Sequence, residues 1–337
     1  MKRISTVFMS AFLFTACSGN DRQAQDLSAI PELEITATHA FDLEQSIKGI
    51  SFVPNNVAPW LGRIVLENAD LSLSSTDIEG RSPQLISERA YRQTYGLARE
   101  NASGIFLAIN DDTNKLEAFI EADDKGNFAP LSYSGDDVSA AAFCSTAGAT
   151  QSFASVIIPQ GGIKTLSLNI PEQTGSMSAP VEQKTVQNVK IGDNPAKHCS
   201  ANENKIFSYT DTGKRAFLHT NEFDDEDGFN LAETEAPTNV SGMAQLTLNE
   251  TNYLLMLNNE DIYLFNSATN ALESKLVVQS GLSIGGLEKV KFIASTSHNY
   301  GGGAFSEGVL ALGQADEDRI VFISKSYLAN LLKDAKS

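Results

Sequence analysis

A short unit recurs through the chain, and its period limits the possible folds more than any other feature. The clearest copy starts at Val240-Ser241-Gly242-Met243 and continues through Ala244-Gln245-Leu246. A turn follows, then the apolar stretch Asn252–Leu257, and almost at once another, Asp261–Phe265. Comparable starts stand at Gly49-Ile50, Gly96-Leu97, Ala141-Ala142, Pro195-Ala196, Gly242-Met243 and Gly286-Leu287, spaced by 47, 45, 54, 47 and 44 residues. A period in the 40s with several short strands per unit is the pattern of propeller blades. The expectation is an all-β, six-bladed β-propeller.

The segments between these starts support that reading. Gly104–Ile109 and Lys115–Ile120 predict a hairpin in the second unit, Phe153–Ile158 and Ile163–Ile170 one in the third, Lys205–Tyr209 and Arg215–His219 one in the fourth. Gly308–Leu312 and Arg319–Ile323 do the same in the sixth. Leu33–Phe41 alternates apolar and polar residues, which predicts a single early strand. Joined to the last blade, it would close the ring and remove an exposed sheet edge. Pro171–Pro180 reads as a polar loop and Asp224–Pro237 as an acidic one. Tyr327–Lys333 has the composition of a short C-terminal helix. No long amphipathic helix separates the strands, which argues against an α/β fold.

The N-terminus carries a targeting pattern. Lys2-Arg3 is followed by the short apolar run Val7–Phe14, far below the length that spans a bilayer. Leu13-Phe14-Thr15-Ala16-Cys17 resembles a bacterial lipobox. That resemblance implies a lipoprotein signal peptide at 1–16, cleavage before Cys17, and acylation of Cys17 as a membrane anchor. The alternative is an ordinary secretory signal. Ser18 in the following position implies sorting to the outer membrane of the cell envelope, facing periplasm or exterior. Residues 17–31 are polar and aperiodic and read as a flexible tether, leaving 32–337 as the propeller.

Charge narrows the partners. The 337 residues hold 42 Asp and Glu against 25 Lys and Arg, a formal net charge of −17. Such a chain repels phosphate backbones, so nucleic acid is excluded as a partner. A polyanionic small molecule would also be repelled unless a cation bridged the two. His39, His198, His219 and His298 lack metal-ligand spacing. Cys144 and Cys199 stand at matching places in adjacent units, Ala142-Phe143-Cys144-Ser145 and Lys197-His198-Cys199-Ser200. An oxidising envelope permits a disulfide between them, and two buried thiols are the alternative. In the run Asp224-Asp225-Glu226-Asp227-Gly228, the acids Asp224, Asp225 and Asp227 are weak calcium candidates. An EF-hand register places Phe223 where the first acid belongs, so a solvated charge run is favoured. Gly281-Leu282-Ser283-Ile284-Gly285 fits a nucleophile elbow in letters only, because a strand rather than a helix is expected after it. Asn299–Phe305 is a glycine-rich loop, and Trp60 is expected to pack onto a neighbouring blade.

The order of the units resembles the β-propeller phytases, secreted calcium-dependent phosphatases with six blades. The similarity covers about residues 46–332. Gln93-Thr94-Tyr95-Gly96-Leu97 matches the family's YGF/YGL element, Tyr253–Leu255 its GYLL strand, and Phe305–Leu312 its FGLFV strand. The resemblance implies calcium as cofactor and phytate, myo-inositol hexakisphosphate, as substrate. Hard calcium ions need six to eight oxygen ligands, so the acids decide the matter. Ile47-Lys48-Gly49-Ile50-Ser51-Phe52 stands where the family has a DDPAIW-like motif. Asn194–Glu203 replaces an EGxxADDE element and keeps only Glu203 as a carboxylate. Ser241 replaces a glutamate, Leu257–Glu260 an SSQG element, and Ser280–Val290 an acidic run. Tyr95 and Glu203 are the weak catalytic candidates that survive. The expected function is a lipid-anchored, phytase-like propeller that serves as a non-catalytic binding or accessory module without a cofactor. Its partner would be a protein or a phosphorylated small molecule. An active calcium-dependent phytase is the alternative.

Overall fold

The computed structural model describes residues 27–123, 125–146, 153–170, 181–189, 194–201, 205–224, 228–314 and 317–335. Six sheets, each built on four antiparallel strands, form the six blades of a β-propeller. Their inner strands are Ile47–Val53, Tyr91–Arg99, Ala142–Phe143, His198–Ala201, Val240–Leu248 and Val290–Thr296. Two blades take a fifth strand that runs parallel to the outermost one: Tyr133–Gly135 in the third and Glu32–Thr36 in the fifth.

The long apolar runs follow from the way blades stack. Each blade is covered on both faces, so successive side chains enter two different cores. In the sixth blade Val309, Ala311, Ile320 and Phe322 face the first blade. Their neighbours Leu310, Leu312, Val321 and Ile323 face the fifth. In the same way Tyr253, Leu255 and Leu257 point to one seam, and Leu254 and Met256 to the other. Each pair of adjacent blades shares one such cluster. Strands with two buried faces lose the apolar–polar alternation of a half-buried strand.

The ring closes through the N-terminal segment. The stretch expected as one strand, Leu33–Phe41, is two. Glu32–Thr36 pairs with Ala271–Gln279 in the fifth blade, and His39–Asp42 pairs with Arg319–Ser324 in the sixth. Ala37 and Thr38 carry the chain from one blade to the next, and the Thr38 amide donates to the Phe322 carbonyl at 2.8 Å. Ordered packing begins earlier than the expected domain start. Leu27 and Ile30, inside the stretch read as a tether, lie against the core between the fourth and fifth blades.

Two other expectations are corrected. Much of the stretch read as an acidic loop is a strand: Gly228–Ala236 pairs along its length with Ala216–Asp224. Backbone pairing is compatible with a polar outermost strand, whose side chains need no seam. Trp60 is 68% exposed rather than packed on a neighbouring blade. It sits in a one-turn 3-10 segment, Pro59–Leu61, beyond the end of the first inner strand. The C-terminal helix, Lys325–Ala335, is longer than expected and buries Leu328 and Leu332.

The inner strands of the third and fourth blades are short, and other bonds secure that seam. Cys144 and Cys199 form a disulfide with a Cα–Cα distance of 4.6 Å across 55 residues of chain. Closing a loop of this length contributes about 4 kcal/mol in the chain-entropy treatment. Backbone bonds reinforce it, from Ser145 N to the Cys199 carbonyl at 2.9 Å and from Ala201 N to the Ser145 carbonyl at 2.8 Å.

Gly96 lies on the inner strand of the second blade, and its role there is close packing. A Cβ at Gly96 would overlap the carbonyl oxygen of Phe52 on the neighbouring inner strand. At Gly242 the nearest atoms stand 3.7 Å from such a Cβ, an ordinary contact. Gly96→Ala is therefore expected to cost about 3 kcal/mol, because backbone must move. Gly242→Ala is expected to change stability by less than about 1 kcal/mol. Urea unfolding of the two variants measures the contrast, and equal losses would contradict it.

Candidate functional site

The true repeat of the inner strands is a β-bulge near their start. The ladder slips between Ile47 and Gly49, Tyr91 and Gln93, Val240 and Gly242, and Val290 and Phe292. A bulge leaves one residue unpaired and re-aims its side chain. The residues so placed are Lys48, Arg92, Ser241 and Lys291. In the two blades with short inner strands the matching residue stands just ahead of the strand, Ala141 and Lys197. Their amides bond to Ile157 O at 2.7 Å and to Tyr209 O at 2.9 Å. All six residues line one cavity of about 320 Å³ at the mouth of the central channel. A second cavity of about 110 Å³ follows the channel wall, past Ser51, Thr94, Tyr95, Cys144 and Ala244.

Four of the six blades thus deliver a cation to this mouth. Arg92 is held in place: its Nε lies 2.9 Å from Asp111 Oδ1, Nη2 donates to Asn114 Oδ1 at 2.8 Å, and Nη1 donates to Ala141 O at 3.3 Å. Lys197 lies 3.8 Å from Asp211, and Lys291 donates to Ser46 Oγ at 3.0 Å. The charge of Lys48 acts on Glu67 and Asp70. His198 also lines the cavity, and burial lowers its pKa, so the ring is neutral near pH 7.

Among the described residues, Glu67 is the single carboxyl group lining the mouth. It lies on the strand Arg63–Asn68, opposite Gly49, and a Cβ on Gly49 would strike its Oε2. Oε1 accepts from the Thr94 amide at 2.6 Å and from Thr94 Oγ1 at 2.8 Å, and Thr94 Oγ1 lies 2.8 Å from Ser51 Oγ. Burial raises the Glu67 pKa to about 7, against the opposing pull of the Thr94 hydrogen bonds and Lys48. The side chain therefore carries its proton over a range in which ordinary carboxylates have lost theirs.

The other candidates fall elsewhere. Tyr95 is a wall residue of the channel: it is buried, stacks on Phe143 with ring centroids 5.3 Å apart, and its hydroxyl donates to Phe153 O at 3.4 Å. Asp224 ends the strand Ala216–Asp224, away from the mouth. Cys17, Glu203, Asp225 and Asp227 lie outside the described residues. The Asn299–Phe305 loop follows an inner strand and so sits at the far end of the channel, where Tyr300 is buried against Phe52. Ser283 lies in a turn closed by the Gly281 amide and Ile284 carbonyl, ahead of a strand.

Calcium does not fit this mouth. The described side chains that line it carry ammonium, guanidinium and hydroxyl groups, the Gln93 amide, the His198 imidazole and one protonatable carboxyl, and no group of three His, Cys, Asp or Glu side chains is placed to hold a metal among the described residues. The described lining of the mouth is more basic than acidic, in contrast to the net charge of the chain, since the acids that pair with Arg92 and Lys197 are not among the described lining residues. Lys48, Arg92, Lys197, Lys291 and Glu67 were not evident as a site in the sequence. The available signal was a basic residue at the start of four of six units.

No family model and no curated protein matches the chain. Among solved structures, the β-propeller domain of Cps50 (Swd1) from Myceliophteria thermophila is similar at 11% identity and a TM-score of 0.47, over 82% of this chain and 83% of that one.

A stability prediction follows from Glu67. In the unfolded chain the group loses its proton near 4.5, and in the folded protein near 7. Below 4.5 it is protonated in both states. Its contribution is lost as pH rises between these values, by roughly 2–3 kcal/mol at pH 8 relative to pH 5. Glu67→Gln removes this dependence, so the gap in unfolding free energy between variant and wild type should move in favour of the variant by that amount. Parallel pH profiles would contradict it.

Proposed function

We propose that the protein is a non-catalytic binding propeller of the bacterial cell envelope, held at the membrane by a lipid on Cys17 and taking its ligand or partner at the channel mouth. The observation that carries this reading is the convergence of one residue from each of the six blades on a single open cavity. The resemblance in strand order to the β-propeller phytases supports a phosphorylated small molecule or a phosphate-handling partner protein as the occupant. Among the described residues the mouth holds no clustered oxygen-donor set, which argues for binding without turnover, because phosphoryl transfer in such a site depends on metal-bound charge.

Two measurements test this. Phytate incubated with the purified protein, with calcium and with chelator, should release no phosphate above a protein-free blank. Calcium-dependent turnover would overturn the non-catalytic reading. The full chain expressed in a Gram-negative host should fractionate with membranes, and Cys17→Ser should move to the soluble fraction. Unchanged membrane association of the variant would remove the lipid anchor.

A further inference from the structure

We propose that the mouth binds a compact polyanion directly, without a bridging metal, and that binding is coupled to uptake of a proton by Glu67. The ligand class is a small molecule with two or more closely spaced acidic groups, an organic phosphate or a polycarboxylate. This inference rests on the mouth being the binding site and adds the chemistry of its occupant.

Geometry supplies the argument. Lys48, Arg92 and Lys291 stand at bulge positions, where backbone register and not a mobile loop aims the side chain. Lys197 joins them from the fourth blade, and all four line the same cavity. Three have partners that leave cationic capacity: Lys291 bonds a neutral serine hydroxyl, Lys197 reaches Asp211 only at 3.8 Å, and Lys48 is set against a buried carboxyl. Arg92 is held by Asp111 and Asn114 and contributes as a fixed positive wall. A cavity of about 320 Å³ suits a small ligand and not a duplex or an extended chain.

Glu67 sets the proton coupling. The charged groups around it are Lys48 from the adjacent inner strand, Arg92 on the inner strand of the second blade, Lys291 from the sixth blade, and Lys197 across the cavity. Asp70 lies in the turn after its own strand, and His198 lines the far side as a neutral ring. The Thr94 amide and hydroxyl both donate to Oε1, and Oε2 lies against Gly49. A neutral Glu67 leaves Lys48 available to the ligand. An ionised Glu67 claims that charge and repels an incoming anion. Bound anion in turn favours the protonated carboxyl, so binding takes up a proton and weakens as pH rises past neutrality.

The test is calorimetric titration of the purified protein in chelator with inorganic pyrophosphate and, separately, with tricarballylate, at pH 6 and pH 8.5. Wild type, Glu67→Gln and Lys48→Gln/Lys291→Gln are compared, each in two buffers of different ionisation enthalpy. Ionisation of the probe is common to all variants, so the comparison isolates the protein. The expected result is equal affinity of wild type and Glu67→Gln at pH 6 and roughly tenfold tighter binding by Glu67→Gln at pH 8.5. Near and above neutral pH, proton uptake should be seen in wild type beyond that in Glu67→Gln. Lys48→Gln/Lys291→Gln should lose about tenfold or more at both pH values. Preference for one probe assigns the ligand to phosphates or to carboxylates. Identical pH profiles for wild type and Glu67→Gln overturn the coupling while the anion site stands. Unchanged binding by the double lysine variant, or no binding of either probe by folded wild type, overturns the anion site itself. Failure of the non-catalytic reading would show instead as phytate turnover.

Discussion

The pairing of four N-terminal residues with the last blade is the interaction on which the rest depends. His39–Asp42 lies antiparallel to Arg319–Ser324, with Leu43 N bonding to Asp318 O at 2.6 Å as the chain leaves the pair. Without it the sixth blade would keep three strands and expose Arg319–Ser324 as its outer edge. More follows than one ladder, because every blade is apolar on both faces. A blade missing from the ring would uncover two seams, and each seam is a separate core cluster. Closure links these clusters around the ring, so that each blade has both faces covered.

The weakest part of that circle is reinforced chemically. The third blade has an inner strand of only two residues and the fourth one of four. Fewer ladder bonds hold those strands to their own sheets. The disulfide and the Ser145–Ser200 bridge join the two strands to each other instead. The seam between the first and second blades uses a different means, a buried Arg63–Glu121 pair at 3.3 Å together with the Glu67–Thr94 bonds. Polar groups this deep are tolerated because their partners are in place.

The blade count and the strand composition were legible in the sequence because burial on two faces and turn chemistry leave a period in the 40s. The markers used to count were not equivalent positions. Gly49 and Gly242 each follow a bulge, whereas Gly96 lies three residues further along its strand than the matching Gln93. A bulge is a property of register between two strands, and one extra residue leaves no mark in composition. The early strand was visible as alternation, but its division at Ala37 and Thr38 between two blades depends on where the ring closes. The cysteine pair was legible because both residues occupy the same place in adjacent units. The mouth was not, because its residues are separated by whole blades and because the net charge of the chain points to the opposite sign.

The reversal of sign has a simple physical basis. Net charge describes the whole surface, whereas a ligand at the mouth meets the few groups that line it, backed by low-dielectric walls that focus their field. The acids paired with Arg92 and Lys197 are Asp111 and Asp211, the latter also held by the Asn239 and Gly213 amides and the Tyr209 hydroxyl, so they orient these two basic side chains from behind. A chain that repels polyanions over most of its surface can then admit one at a single place. The bulges make this economical: one residue per blade changes the chemistry of the mouth, while the paired strands on either side stay the same.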